Sequence, residues 1–183
     1  MKWMIASDIH GSAYYCRKLL EAYEKEKAER LLLLGDILYH GPRNDLPEGY
    51  APKEVIALLN AHKNDIYCVR GNCDTEVDQM VLEFPVLADY CVIAEGETAV
   101  YATHGHVYNE QKLPPLHPGD ILLHGHTHVP KCIVHEEKPY IYMNPGSVSL
   151  PKEDSWHGYM IWEGNEFVWK DFDGQEHMRK KLS

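Results

Sequence analysis

Apolar residues gather in short runs along this chain, and the spacing between them changes partway through. Lys2 to Ser7 reads as a strand. Ser12 then caps a helix running to about Lys27, with Tyr15, Leu19, Ala22 and Tyr23 at helical spacing. Leu31 to Leu34 is an unbroken apolar run, as expected of a strand covered on both faces. Tyr39 to Pro52 is too rich in Gly and Pro for regular structure. A helix with Pro52 near its first turn follows, apolar at Val55, Ile56, Leu58 and Leu59, and Ile66 to Arg70 forms a third strand. Asp74 is placed to cap a short helix through about Leu82. Beyond Pro85 the pattern predicts strands at Leu87 to Ala94, Ala99 to Thr103, Ile121 to His124, Cys132 to His135, Tyr140 to Asn144, Gly158 to Trp162 and Glu166 to Asp171. Gly96, Gly119 and Gly164 mark turns between them. The polar, basic tail from His177 to Ser183 is expected to fray. The first half is βαβ-like and the second mostly β, which predicts one α/β domain over residues 1–183 with two sheets packed face to face.

Composition narrows the function classes. The chain of 183 residues is ample for a core, and its net charge is -10 with histidines neutral. An acidic surface argues against stable nucleic-acid binding, which needs basic side chains at phosphates. An anionic substrate stays open, because bound dications reverse the local field. The run from Met1 to Ser7 is too short for a signal-peptide apolar core, and no stretch approaches the roughly 18 to 20 apolar residues that span a bilayer. Five cysteines (Cys16, Cys68, Cys73, Cys91, Cys132) without Cys-x-x-Cys spacing argue against a disulfide framework or a thiolate zinc site. A reduced cytoplasm is the expected compartment.

The chemistry sits where the strands end. Asp8-Ile9-His10, Gly35-Asp36, Gly71-Asn72-Cys73-Asp74, His104-Gly105-His106 and Gly125-His126-Thr127-His128 each follow an apolar run. Open α/β folds place ligands at that edge of a sheet. Carboxylate, imidazole and amide donors without cysteine suit Mn, Fe, Zn or related ions. Asp8-x-His10 and His126-x-His128 each put two donors on one side of an extended segment. Asp36, alone between these pairs, is the natural bridging carboxylate. One metal is therefore assigned Asp8, His10, Asp36 and His128, and the other Asp36, Asn72, His104 and His126. An isolated Asp-x-His is usually a surface or helix-start pattern, and an isolated Gly-His-x-His reads equally as a metal pair or not; the order of all five, each behind a strand, is what carries the assignment.

The ordered set D-x-H, G-D, G-N-[HCF]-[DE], H-G and G-H-x-H resembles the calcineurin-like metallophosphoesterase superfamily over residues 8 to 128. Within it, Leu38-Tyr39-His40-Gly41-Pro42-Arg43-Asn44 and Asn144-Pro145-Gly146-Ser147 resemble the small bacterial YfcE-type phosphodiesterases. The resemblance implies two packed mixed β-sheets flanked by helices and a centre of two divalent ions, Mn²⁺ favoured over Fe, Zn or Ni. It also implies hydrolysis of a small phosphoester. The expected reaction is attack of a metal-bridging hydroxide on a phosphate diester. Two other readings remain: a phosphomonoesterase using the same site, and a metal-binding scaffold without catalysis. A homo-oligomer is compatible with either.

One position departs from the commonest family pattern, in which a histidine after the asparagine binds phosphate and protonates the leaving group. Here it is Cys73, a weak hydrogen-bond donor with an ordinary pKa near ~8.5. Either Cys73 is a small packing residue or it stands in the catalytic set with Asn72 and His104. Asp74 would then merely cap its helix. His40, on the loop after Asp36, is an alternative acid, and Arg43 and Asn44 are candidate phosphate contacts. The same loop also reads as a lid or subunit contact. Of the other histidines, His106 reads as a support for an imidazole or as surface, and His124 as packing. His62, His117, His135, His157 and His177 read as surface. Trp156, Trp162 and Trp169 are expected in the second sheet's core or on an oligomer face.

Overall fold

Strands β1 (Lys2–Ala6), β2 (Arg30–Leu33) and β3 (Ile66–Cys68) alternate with helices α1 (Ala13–Glu26) and α2 (Pro52–Asn60), as the periodicity predicts. A short α3 (Glu76–Val81) follows, then β4 (Tyr90–Glu95), β5 (Thr98–Thr103), β6 (Ile121–His124), β7 (Lys131–Val134), β8 (Ile141–Asn144), β9 (Gly158–Glu163), β10 (Glu166–Asp171) and β11 (Glu176–Lys181). The structure, a computed structural model, describes residues 1–96, 98–135 and 140–182. Ser183, at the end of the expected frayed tail, lies outside the described residues. Among the described residues no helix is long and apolar enough to cross a membrane.

Two sheets result. One has six strands in the order β11-β10-β9-β1-β2-β3, the other five in the order β4-β5-β6-β8-β7. The parallel pairs β1–β2 and β2–β3 in the first, and β5–β6 and β6–β8 in the second, make both sheets mixed. Alternation explains the double-sided apolar runs. Trp3 and Ile5 of β1 face the second sheet, while Met4 and Ala6 face the core under α1, which Cys16, Leu19 and Val55 also fill. Ser12 caps α1 by accepting the Tyr15 N–H at 3.2 Å, and Lys27 ends it in a left-handed turn.

Three expectations are corrected. Trp162 and Trp169, expected in the second sheet's core, lie on strands that do not extend that sheet. Those strands return to the first, with β9 pairing antiparallel to β1. Trp162 and Trp169 therefore enter the core between the sheets from the first sheet's side, fully buried. Truncating either to Ala is expected to cost about 3–5 kcal/mol. The tail does not fray: β11 pairs with β10, and Met178 and Leu182 pack against the inter-sheet core. Four of its six residues, Glu176, Arg179, Lys180 and Lys181, are charged, which suits an exposed sheet edge and disguised it as tail. Finally, Thr75 rather than Asp74 precedes α3, its N–H meeting Asp78 at 2.7 Å. Asp74 turns inward instead.

Candidate metal centre

The carboxyl ends of β1, β2 and β3 meet those of β5 and β6, and every candidate donor sits in the loops just beyond them. The backbone pairing of β1 with β2 continues past the strands: Asp8 N–H donates to Gly35 O at 3.1 Å, His10 N–H to Asp36 O at 2.9 Å and Gly11 N–H to Ile37 O at 2.8 Å. Two motif glycines allow this crowding. A Cβ on Gly71 would lie 2.1 Å from Asp36 Oδ1, and one on Gly125 would lie 1.9 Å from Ser7 Oγ. Among the described residues, five of the eight non-glycine residues with positive φ are candidate ligands: Asp8, His10, Asp36, His126 and His128. Each such residue costs about 1–2 kcal/mol, so the fold holds its donors in place against local preference.

The side chains converge. Asp8 Oδ1 lies 3.2 Å from His128 Nε2 and 3.5 Å from His10 Nε2, and those two nitrogens are 3.3 Å apart. Asp36 Oδ2 sits between His10 Nε2 at 3.7 Å and His104 Nε2 at 3.4 Å, the position of a bridge. His104 Nε2 in turn lies 3.2 Å from Asn72 Oδ1 and 3.1 Å from His126 Nδ1. Three rings have their other nitrogen engaged. His10 Nδ1–H donates to Tyr39 O at 2.8 Å, His104 to Leu34 O at 2.7 Å and His128 to Leu150 O at 2.7 Å. That fixes the tautomer and turns each Nε2 lone pair inward.

Lone pairs packed against lone pairs need a cation between them. Asp8 Oδ1 makes the point most plainly: it is buried, has no hydrogen-bond partner, and faces two imidazole nitrogens. The donor set fits divalent ions of the Mn, Fe or Zn kind. Protonation supplies part of that charge in the metal-free chain. Burial works to lower the His104 pKa, but the Asp36 and Asp8 carboxylates outweigh it and hold the ring up at about 9. Burial likewise works to raise Asp8, and the imidazoles of His10 and His128 beside it outweigh that, leaving Asp8 well below the carboxylate range. Burial, with the His104 charge alongside, brings His126 down to about 4.

Supporting contacts account for residues that sequence reasoning passed over. Asp74 Oδ2 accepts the N–H groups of Asp36 at 2.8 Å and Gly71 at 2.7 Å, and its Oδ1 accepts that of Ile37 at 2.8 Å. It clamps the Asp36 loop to the Asn72 loop. The segment after β8 does the same for the other ligands: Ser147 Oγ and Ser149 Oγ donate to Asp8 O at 3.0 and 3.1 Å. Asn144 Nδ2 donates to Gly125 O at 2.9 Å and to Thr127 Oγ1 at 3.0 Å. The resemblance of Asn144-Pro145-Gly146-Ser147 to the family pattern was the available signal.

A cleft of about 270 Å³ opens onto the centre, lined by Asp36, Asn72, Cys73, His126 and His128, by the loop from Gly41 to Asn44, and by Lys152. Arg43 and Asn44 line its wall. His40 does not line the cleft; its ring rests edge-on against Tyr39 and Tyr50, and its carbonyl accepts Asn44 Nδ2 at 2.8 Å. Cys73 is buried, with its N–H on Asp36 Oδ1 at 2.8 Å. Burial pushes its thiol up to about 12, and Asp36 adds to the effect. His106 lies half-buried beside the centre, its ring 5.4 Å from that of His104. His124 packs as expected, stacked on Tyr142 at 4.5 Å. His157 is not a surface residue: it is half-buried, stacked on Tyr15 at 4.0 Å.

Comparison with known proteins bears on the fold and the family. Residues 1–166 match the calcineurin-like phosphoesterase superfamily domain. The phosphodiesterase YfcE of Escherichia coli strain K12 is 46% identical over 152 residues, covering 83% of this chain and 82% of that protein. The solved structure of that E. coli phosphoesterase superposes with a TM-score of 0.94 at 39% identity, over 100% of both chains. Vps29 of Entamoeba histolytica complexed with Zn²⁺ shares the fold at a TM-score of 0.61, with 18% identity over 99% of each chain. The two mixed sheets, the strand-end motifs and these matches together establish that the chain belongs to the calcineurin-like phosphoesterase superfamily.

Proposed function

We propose that this protein is a divalent-metal-dependent phosphodiesterase, holding two ions between Asp8, His10, Asp36 and His128 on one side and Asp36, Asn72, His104 and His126 on the other. The observation that carries the reading is the inward convergence of imidazole and carboxylate lone pairs around an unpartnered Asp8 oxygen. The relative at 46% identity, named a phosphodiesterase, supports the choice of diester over monoester. Every expected donor position is filled, which disfavours a scaffold without catalysis. Mn²⁺ is the proposed ion, with Fe, Zn and Ni compatible with the same donors. Two such ions, when bound, would supply a hydroxide nucleophile near neutral pH and offset charge on the attacking and leaving oxygens.

The chain's own residues supply the rest. Arg43 offers two N–H groups to one phosphate and Asn44 a third, both from the cleft wall. His104 and Asn72 hold the floor against the reacting ester. Cys73 occupies the place of the family's usual acid but stays a neutral, weakly donating thiol. We leave His40 out of the reacting set because its ring is packed against Tyr50. The protein is therefore suited to esters whose leaving group needs no proton. A cytoplasmic location is proposed on the five free cysteines.

The test is hydrolysis of matched chromogenic diesters and monoesters by metal-stripped protein with and without added Mn²⁺. Diester turnover abolished by chelation and restored by Mn²⁺ is expected. Activity insensitive to chelation and to His126→Ala would defeat the reading, and faster monoester turnover would replace it with the phosphomonoesterase.

A further inference from the structure

Lys152 lines the cleft, although no motif points to it. A lysine on a loop is usually a solvated charge. The Lys152 side chain is exposed, but its backbone is anchored at both ends of the peptide. Its N–H donates to the carbonyl of the candidate ligand His128 at 3.1 Å, and its carbonyl accepts Ser155 Oγ at 2.6 Å and Ser155 N–H at 3.1 Å. Two residues earlier, Leu150 O takes the His128 ring proton at 2.7 Å. The backbone under Lys152 is thus tied to the His128 side of the centre. The next two residues, Glu153 and Asp154, are both left-handed at φ 55° and 54°, a sharp turn that carries non-glycine strain. Despite those neighbouring carboxylates, Lys152 makes no ion pair among the described residues, and neither does Arg43.

Charge accounting gives the pair a purpose. A phosphate diester carries a single negative charge. Two dications at the floor, against the carboxylates of Asp8 and Asp36, already answer it. With Arg43 given to the reacting phosphate, Lys152, on a separate loop of the same cleft, is a cation beyond that need. We propose that Lys152 determines specificity by gripping a second anionic group, a carboxylate or a phosphate, carried on one arm of the diester. The substrate class is then a diester with an anionic arm. This deepens the proposed function and rests on it.

The experiment uses three p-nitrophenyl phosphodiesters whose second arm ends in a carboxylate, a phosphonate or the uncharged carboxamide. The Mn²⁺-loaded wild type, Lys152→Ala and Lys152→Arg are compared by kcat/KM. The wild type is expected to prefer an anionic arm, and Lys152→Ala to lose roughly tenfold more on it than on the carboxamide, chiefly through KM. Lys152→Arg should restore most of the preference. The carboxylate and phosphonate arms tell the two sources of anion apart. Calorimetric titration of methylphosphonate monoesters bearing the same arms reads binding without turnover and should show the same loss of discrimination. Equal losses on charged and uncharged arms, or no loss on either, would overturn the assignment. If the wild type hydrolyses none of the esters, the hydrolase reading falls, and the titration alone decides the role of Lys152.

Discussion

The two sides of the metal centre are built differently. On the inner side Asp8, His10, Asp36, His104 and His128 are buried, and each of the three rings is locked by a backbone carbonyl. On the outer side Asn72 is exposed and His126 half-exposed. The Asn72 amide leans on Cys73 Sγ at 3.2 Å, and no carbonyl pins the His126 ring among the described contacts. The inner donors are shaped before any ion or substrate arrives, which lowers the entropy of capture. The outer donors share the cleft wall with Arg43 and Lys152, and so face incoming ester. Asp36 and His128 of the inner side line the same cleft, so it presents locked donors as well as adjustable ones.

Breaking the inner side should do the most damage. His128→Ala removes a locked donor, and a metal's stabilisation of several kcal/mol corresponds to a kcat loss of about 10³-fold or more. Asn72→Ala on the outer side should lose only about 10–100-fold, and excess Mn²⁺ should recover part of it. Equal losses, measured side by side with metal content by mass spectrometry, would erase the distinction between the sides.

Cys73→His restores an acid to the outer side. Turnover of esters with poor leaving groups should rise by about 10²-fold, with little change for p-nitrophenyl esters. A uniform change along a leaving-group series would mean that the position only packs.

Asp74→Asn tests what holds the two loops together. The amide presents N–H toward backbone N–H donors, so urea unfolding of the metal-free chain should show a loss of about 1–3 kcal/mol. Manganese affinity should fall with it. A stability loss without any change in affinity would detach Asp74 from the centre.

The smallest effect is expected at the opposite end of β1. Burial works to raise the Glu26 pKa, but hydrogen bonds from Lys170 at 2.6 Å and Lys2 at 3.2 Å outweigh it and hold Glu26 below its usual 4.5. A depressed carboxylate stabilises the fold above its unfolded pKa and loses that contribution as pH falls through the folded value. Glu26→Gln should therefore cost under ~1 kcal/mol at pH 7. The gap from wild type should close below pH 4.5, with kcat untouched.

The contrast between the sides also marks what could be read in advance. Strand ends are legible because double-sided apolar runs stop abruptly, and donors placed just after them share an edge. That reasoning located Asp8, His10, Asp36, Asn72, His104, His126 and His128 together. It could not see the left-handed backbone at five of them, because only tertiary pairing stabilises such a conformation in non-glycine residues. Nor could it see Asp74 turning inward, since an aspartate before a helix is a cap by every local rule. Lys152 was hidden for a related reason: a single lysine in a polar loop carries no period. The strand β11 was hidden by its charges, which suit a sheet edge as well as they suit a disordered tail.

Anomalous diffraction at the manganese edge, from crystals grown with excess Mn²⁺, bears most directly on the central claim. Two peaks are expected, one among Asp8, His10 and His128 and one among Asn72, His104 and His126, with Asp36 reaching both. A single peak would reduce the pair to one ion. No peak, with Asp8 Oδ1 and the three imidazole nitrogens turned apart, would contradict the account.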